Sequence, residues 1–91
     1  DLVAPGVNIV APVPGGGYRT VTGTSFAAPF VSGAAALLMQ WGIVNGNDPY
    51  LYGEKVKAYL RRGARPLSGY ETYPNEEVGW GALCTAQSIP K

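Results

Sequence analysis

Ser25 is the residue with chemistry to offer. It sits in the string Gly23-Thr24-Ser25-Phe26-Ala27-Ala28-Pro29, which opens an almost uncharged apolar run reaching Trp41. A serine hydroxyl is a weak nucleophile until a base takes its proton and donors stabilise the oxyanion that follows. The start of a helix supplies part of this, because its first N–H groups are unpaired and point at an incoming negative charge. The Ser25 N–H then serves as one oxyanion donor. Thr24 adds a hydroxyl beside it, and Gly23 lets a substrate backbone approach with no Cβ in the way. A local base is missing: the 91 residues contain no histidine, and no lysine precedes Lys55. The chain by itself is therefore not a complete Ser-His-Asp enzyme. The plainer reading of a Thr-Ser pair before an alanine-rich helix is an N-terminal cap.

Other candidate groups carry less. Pro14-Gly15-Gly16-Gly17 resembles a phosphate-cradling loop only in its glycines, since no Lys-Ser/Thr pair follows and the next element reads as a strand. Asp1 reads as a solvated or capping carboxylate more readily than as a cation ligand. Lys55, Lys57, Arg61, Arg62 and Arg65 read as a solvated helix face, not a nucleic-acid stripe. Tyr50, Tyr52, Tyr59, Trp41 and Trp80 read as packing residues. Cys84, the one cysteine, has no partner for an internal disulfide and reads as a small buried hydrophobe.

The elements that must position Ser25 follow from pattern. Leu2–Gly6 reads as a short buried strand ended by Pro5-Gly6. Residues 8–13, with β-branched Ile9, Val10 and Val13, and residues 18–22 read as the arms of a hairpin. Its glycine loop leaves the register loosely specified. Thr24 is the expected cap of a helix over residues 25–41. Pro29 near its start cannot donate to the Ser25 carbonyl. Gly33, costing about 1 kcal/mol against alanine in a helix interior, suggests close packing on a neighbouring strand. Asp48-Pro49 reads as the cap and first residue of a second helix, with Tyr52, Val56, Tyr59 and Leu60 on one face and Gly63 at its end. Glu54 near its start and Arg61-Arg62 near its end suit the helix dipole. Residues 64–77 form an irregular polar loop. Residues 78–83 make an apolar segment pinched by Gly79-Trp80-Gly81, and residues 85–89 a last helical turn.

Charge is unevenly spread. Residues 1–41 hold only Asp1 and Arg19, while the other eleven charges lie beyond, for a net charge of +1. Nothing in that balance argues for a nucleic acid or an anionic membrane as partner. The apolar run is interrupted by Ser32, Gly33 and Gln40 and lacks the flanks of a membrane anchor, so no span is expected. A helix apolar nearly all round needs cover that so short a chain has little material to provide. With Asp1 at its start and Met39 as its only methionine, the chain is expected to be a segment of a longer protein.

The string GTSFAAP followed by FVSGAAALL resembles the nucleophile motif of the subtilases, the subtilisin-like serine proteases. DLVAPGVNIVAPV, a hairpin and then VTGTS are similar to that family in order and spacing, and VGWGALCTAQSI resembles the end of its catalytic domain. The resemblance covers nearly the whole chain. Over residues 39–83 it looks closest to a clostridial branch that contains germination-type subtilases. It implies an α/β fold: a fragment of the three-layer subtilisin-like architecture comprising a β-hairpin, a buried nucleophile helix, a surface helix and a C-terminal turn. Residues 1–91 would be the incomplete C-terminal portion of a subtilase catalytic domain. Ser25 would be nucleophile and backbone oxyanion donor, with Thr24 in support and Gly23, Phe26 and Thr22 beside the substrate. The family's aspartate, histidine and oxyanion asparagine lie upstream, so no such role passes to Asp1, Asp48 or Asn8. Phe30 departs from the pattern, standing where many subtilases have a non-catalytic histidine; it suggests different packing on the buried side of the helix.

Those relations imply a peptide or protein substrate and a missing N-terminal part of the domain as partners. They imply no cofactor in this segment, with calcium admitted only in the parent. A secreted or cell-envelope parent is expected, and the isolated chain is expected to be inactive. Two rivals remain: a pseudoprotease that keeps the fold for binding, and an autonomous structural domain.

Overall fold

The computed structural model describes residues 1–90. Strands β1 (Ile9–Pro12) and β2 (Tyr18–Val21) pair antiparallel, with Ile9 opposite Val21 and Pro12 opposite Tyr18. One register is therefore adopted despite the loose loop. The ladder stops at Pro12, which has no N–H to offer. The turn beyond it holds Gly15, Gly16 and Gly17 all at positive φ, a run that only glycine adopts without strain.

Helix α1 (Thr24–Met39) follows directly and passes into a π-helical stretch over Gln40–Val44. The helical run is thus longer than expected, ending at Val44 instead of near Trp41. Its N-cap is Gly23, not Thr24; Thr24 is already helical, and no side chain caps this end. Gly33 also departs from expectation, because a Cβ there would meet nothing within 4 Å. Among the described residues it is an exposed position that meets no strand.

Helix α2 (Gly53–Arg62) begins later than Asp48-Pro49 would place it, with Tyr52 at its N-cap. Asp48 instead accepts the Tyr50 N–H at 3.3 Å and pairs with Lys55 Nζ at 2.7 Å, so it organises the turn before the helix. Tyr50 and Tyr52 are exposed, contrary to their expected packing role, whereas Tyr59 packs edge-on against Trp41 with ring centroids 5.9 Å apart. A short helical turn, α3 (Thr85–Ser88), lies near the C-terminus.

The core is one small cluster: Ala34 and Leu38 from α1, Leu51 from the connection, and Val56 and Leu60 from α2. Each helix contributes residues four apart, the spacing that puts side chains on one face. Gly42 makes room for Leu51, since a Cβ on it would stand 2.6 Å from the Leu51 Cδ2. Where a strand was expected over Leu2–Gly6 there is a single bridge, Val3 to Ala82. Ala82 also bridges Arg65, through reciprocal N–H···O bonds of 2.8 Å. The segment after Trp80 is thereby stitched between the beginning of the chain and the end of α2.

By length and composition alone, Thr24–Val44 would reach across a membrane. Its Ala34–Leu38 stripe nevertheless packs against α2 of the same chain, while Phe30, Leu37 and Val44 on its other sides are exposed. One apolar stripe is buried and the remainder is open.

Candidate active site

The strand-to-helix junction delivers Ser25. After β2, Thr22 and Gly23 turn the chain, and Gly23 adopts φ 151°, ψ 159°. Its N–H donates to the Gly6 carbonyl at 2.7 Å, and its own carbonyl accepts the Phe26 N–H at 3.1 Å. Ser25 is the second residue of α1 and is exposed. Among the described residues its N–H meets no backbone carbonyl and its Oγ makes no hydrogen bond. Four residues on, Pro29 has no N–H to give the Ser25 carbonyl. Ser25 is thus flanked by the Gly23–Phe26 bond while its N–H and Oγ have no partner among the described residues, which suits a nucleophile and oxyanion donor.

Gly23, Ser25 and Phe26 lie together. A Cβ on Gly23 would stand 3.5 Å from the Phe26 ring and 3.8 Å from the Ser25 Oγ. Thr24 is exposed beside them. Phe26 is half-buried and, with Ile9, Ala11, Pro29 and Phe30, lines an open apolar groove of about 270 Å³ between the hairpin and the helix. Phe30 therefore faces this groove instead of the chain's own core. Thr22 Oγ1 accepts the Asn8 N–H at 3.0 Å.

Several charged groups pair with one another or with aromatic rings. Asp1 pairs with Lys57 at 3.0 Å, and its carbonyl accepts the Trp80 N–H. Lys55 donates to Asp48; that hydrogen bond holds the Asp48 carboxyl below the usual carboxylate range and pushes the Lys55 ammonium up. Tyr70 donates to Glu77 at 2.7 Å, which raises the phenol. Arg62 lies over the Tyr59 ring, 5.0 Å from its centroid. No three of His, Cys, Asp and Glu gather to hold a metal ion among the described residues. The glycine loop at residues 15–17 leads into β2 and has no helix N-terminus behind it. Cys84 is half-buried.

Two residues of the junction escaped the sequence pattern, Gly6 and Asn8. Gly6 touches Gly23 across the elbow, and Asn8 is the one non-glycine residue at positive φ among the described residues, at 54°. Asparagine is among the residues that tolerate that region, but its partner in space cannot be deduced from spacing.

The model of the Subtilase family (Peptidase S8) matches residues 1–81. An intracellular serine protease of Paenibacillus polymyxa is 43% identical, over 72% of this chain and 22% of its own length. Subtilisin BL of Lederbergia lenta is 37% identical over 80% of this chain and 25% of its own. The structure of the CspB protease of Clostridium perfringens superimposes with a TM-score of 0.93 at 50% identity, covering 98% of this chain and 19% of that one. This chain thus spans a quarter or less of these three relatives.

Proposed function

The chain belongs to the subtilase family, and from that premise we propose that it carries the nucleophile of a serine endopeptidase whose remaining catalytic groups lie on other sequence. The observation that supports this is the state of Ser25, exposed at the second position of α1 with Oγ and N–H both free. In the proposed reaction Ser25 Oγ attacks the scissile carbonyl carbon while a base from outside these residues takes its proton. The Ser25 N–H donates to the oxyanion. The C–N bond then breaks, the proton passes to the departing amine, and water hydrolyses the acyl-enzyme. In this reading the Thr24 hydroxyl supports the oxyanion side. Gly23 leaves the approach open, and the Phe26 ring walls it.

The apolar sides of α1 are part of the same reading. The Cα radius of gyration is 14.7 Å, whereas a compact chain of this length would have about 12 Å. Exposed Phe30, Leu37 and Val44 on the nucleophile helix are the surfaces that the missing N-terminal part of the domain would cover. Lipid and nucleic acid have no part in this proposal, and the isolated chain is inactive in it.

The test is Ser25→Ala in the full-length protein, assayed on a peptide substrate. Activity should fall by about 10⁶-fold, the loss that removal of subtilisin's own nucleophile produces. An alanine variant as active as the wild type would refute the assignment. A full-length wild type that cleaves nothing would favour the pseudoprotease alternative.

A further inference from the structure

The hairpin ladder ends where Ile9 faces Val21. One residue further on, Asn8 and Thr22 would continue a regular ladder, but Asn8 turns to φ 54° and its N–H leaves the direction of the sheet. That N–H donates to the Thr22 side-chain oxygen at 3.0 Å, not to a main-chain carbonyl. Two residues before Asn8, the Gly6 carbonyl accepts the Gly23 N–H at 2.7 Å. Residues 6–8 are thus fastened to residues 22–23 by two bonds. One is backbone to backbone and indifferent to side chains. The other depends wholly on a hydroxyl at position 22.

Ser25 follows this fastening closely. Gly23 holds a positive-φ conformation that a residue with a side chain would rarely adopt. The first bond of α1 springs from its carbonyl to the Phe26 N–H. A rotation at residues 22–23 would swing Ser25 Oγ before the regular part of the helix could resist it. Thr22 itself is exposed, so its hydroxyl is not there to satisfy a buried group of its own. Its one hydrogen bond among the described residues is the one to Asn8.

We propose that Thr22 is a positioning residue for Ser25, its hydroxyl clasping the Asn8 N–H so that the elbow entering α1 presents the nucleophile at one fixed angle. This assignment rests on the peptidase reading above. It moves Thr22 from the wall of the substrate site to the frame behind the nucleophile. Thr22 acts on the orientation of Ser25 and not on substrate binding, so its removal lowers the rate of the chemical step and leaves substrate affinity in place. Misplacing a nucleophile by about 1 Å costs on the order of a hundredfold in rate.

The experiment uses the full-length protein with Thr22→Val, which keeps the shape and removes the acceptor, and Thr22→Ser, which keeps the acceptor. The readouts are kcat and KM on a peptide substrate, the rate of Ser25 labelling by a fluorophosphonate, and the thermal midpoint. The Val variant should lose roughly tenfold to a hundredfold in kcat. Its KM should stay within about twofold of the wild type, as expected when ground-state binding is spared. Labelling should slow in parallel, and Ser should restore both rates. Should the Val variant fail to fold, Thr22→Ala removes the same acceptor and is read the same way. Wild-type kcat in the Val or Ala variant, or an equal loss in the Ser variant, overturns the clasp alone. A wild type that neither cleaves nor labels overturns the peptidase reading, and the clasp with it.

Discussion

Gly6 and Gly23 touch backbone to backbone across the elbow that leads to Ser25. The Gly6 carbonyl accepts the Gly23 N–H at 2.7 Å, and a Cβ on Gly6 would stand 2.9 Å from the Gly23 carbonyl oxygen and 3.3 Å from the Ala27 Cβ. The obstacle is main chain, which cannot swing aside as a side-chain tip would. Gly6→Ala should therefore push the start of α1 away from the hairpin, at a cost of about 1–3 kcal/mol, the usual range for forced overpacking. In the full-length protein, denaturant titration should show the lost stability, and Ser25 phosphonate labelling should slow. Unchanged values in both would mean that the elbow is softer than its geometry implies.

Gly63 gives a second test, remote from Ser25. A Cβ there would collide with the Ser88 backbone and hydroxyl, where α3 docks on the end of α2. Ser88 is buried and its hydroxyl is committed to the Cys84 carbonyl at 2.9 Å. Gly63→Ala should destabilise by about 1–3 kcal/mol while leaving kcat on folded protein near the wild-type value. A loss of kcat without a loss of stability would contradict this separation.

The Asp48–Lys55 pair predicts a pH dependence of stability. Asp48 is depressed by its Lys55 hydrogen bond, so its contribution is present above the ordinary carboxylate range and is lost as pH falls through its lowered value. Lys55 is raised by the same bond, so its contribution is present below the ordinary lysine range and is lost as pH climbs through its raised value. Between those limits the pair adds a level plateau. Asp48→Asn should remove a small part of the stability at neutral pH and flatten the acid limb of the denaturation midpoint against pH. The effect should be small because the Lys55 side chain is about half exposed. An acid limb of unchanged slope in the Asn variant would place the titration elsewhere.

Buried and exposed apolar residues of the Thr24–Val44 helical run give a further test. Leu38 is completely buried, and Leu38→Ala should cost about 2–5 kcal/mol in the full-length protein. Leu37 is 52% exposed and Val44 76% exposed in this chain. Replacing both with glutamate should make the isolated 91-residue chain more soluble, because open apolar patches drive association. The same pair should destabilise the full-length domain, where the proposed cover would lie over them. Sedimentation of the isolated chain and unfolding of the full-length protein measure the two effects. A full-length domain indifferent to both glutamates would argue that nothing covers that side.

The sequence made the hairpin, both longer helices and the last turn legible, because each depends on local pattern. Alternation around the glycine loop gave the hairpin, and Val56 and Leu60, four apart, gave the face of α2. The errors lie where distant residues decide. Leu2–Gly6 has the composition of a strand but finds only Ala82 to pair with at Val3. Asp48 is a good cap by type, yet Lys55 draws its carboxylate and the helix starts at Gly53. Thr24 also suits a cap by type, yet it is already helical, and Gly23, bonded to Gly6 across the elbow, stands at the N-cap. At the site, Ser25 was visible from its string alone. The hydroxyl of Thr22 and the bare Cα of Gly6 were not, since their partners lie 14 and 17 residues away along the chain.

The stitch at Ala82 has a consequence for how the molecule is made. Val3 precedes the residue that will hold it, Ala82, by most of the length of this segment. Until Ala82 is made, the residues around Val3, with Gly6 close behind, lack that anchor. Contacts so distant in sequence form slowly, because a long loop must close before they return any energy. Ser25 and the elbow that holds it are thus translated before the Val3–Ala82 stitch can close.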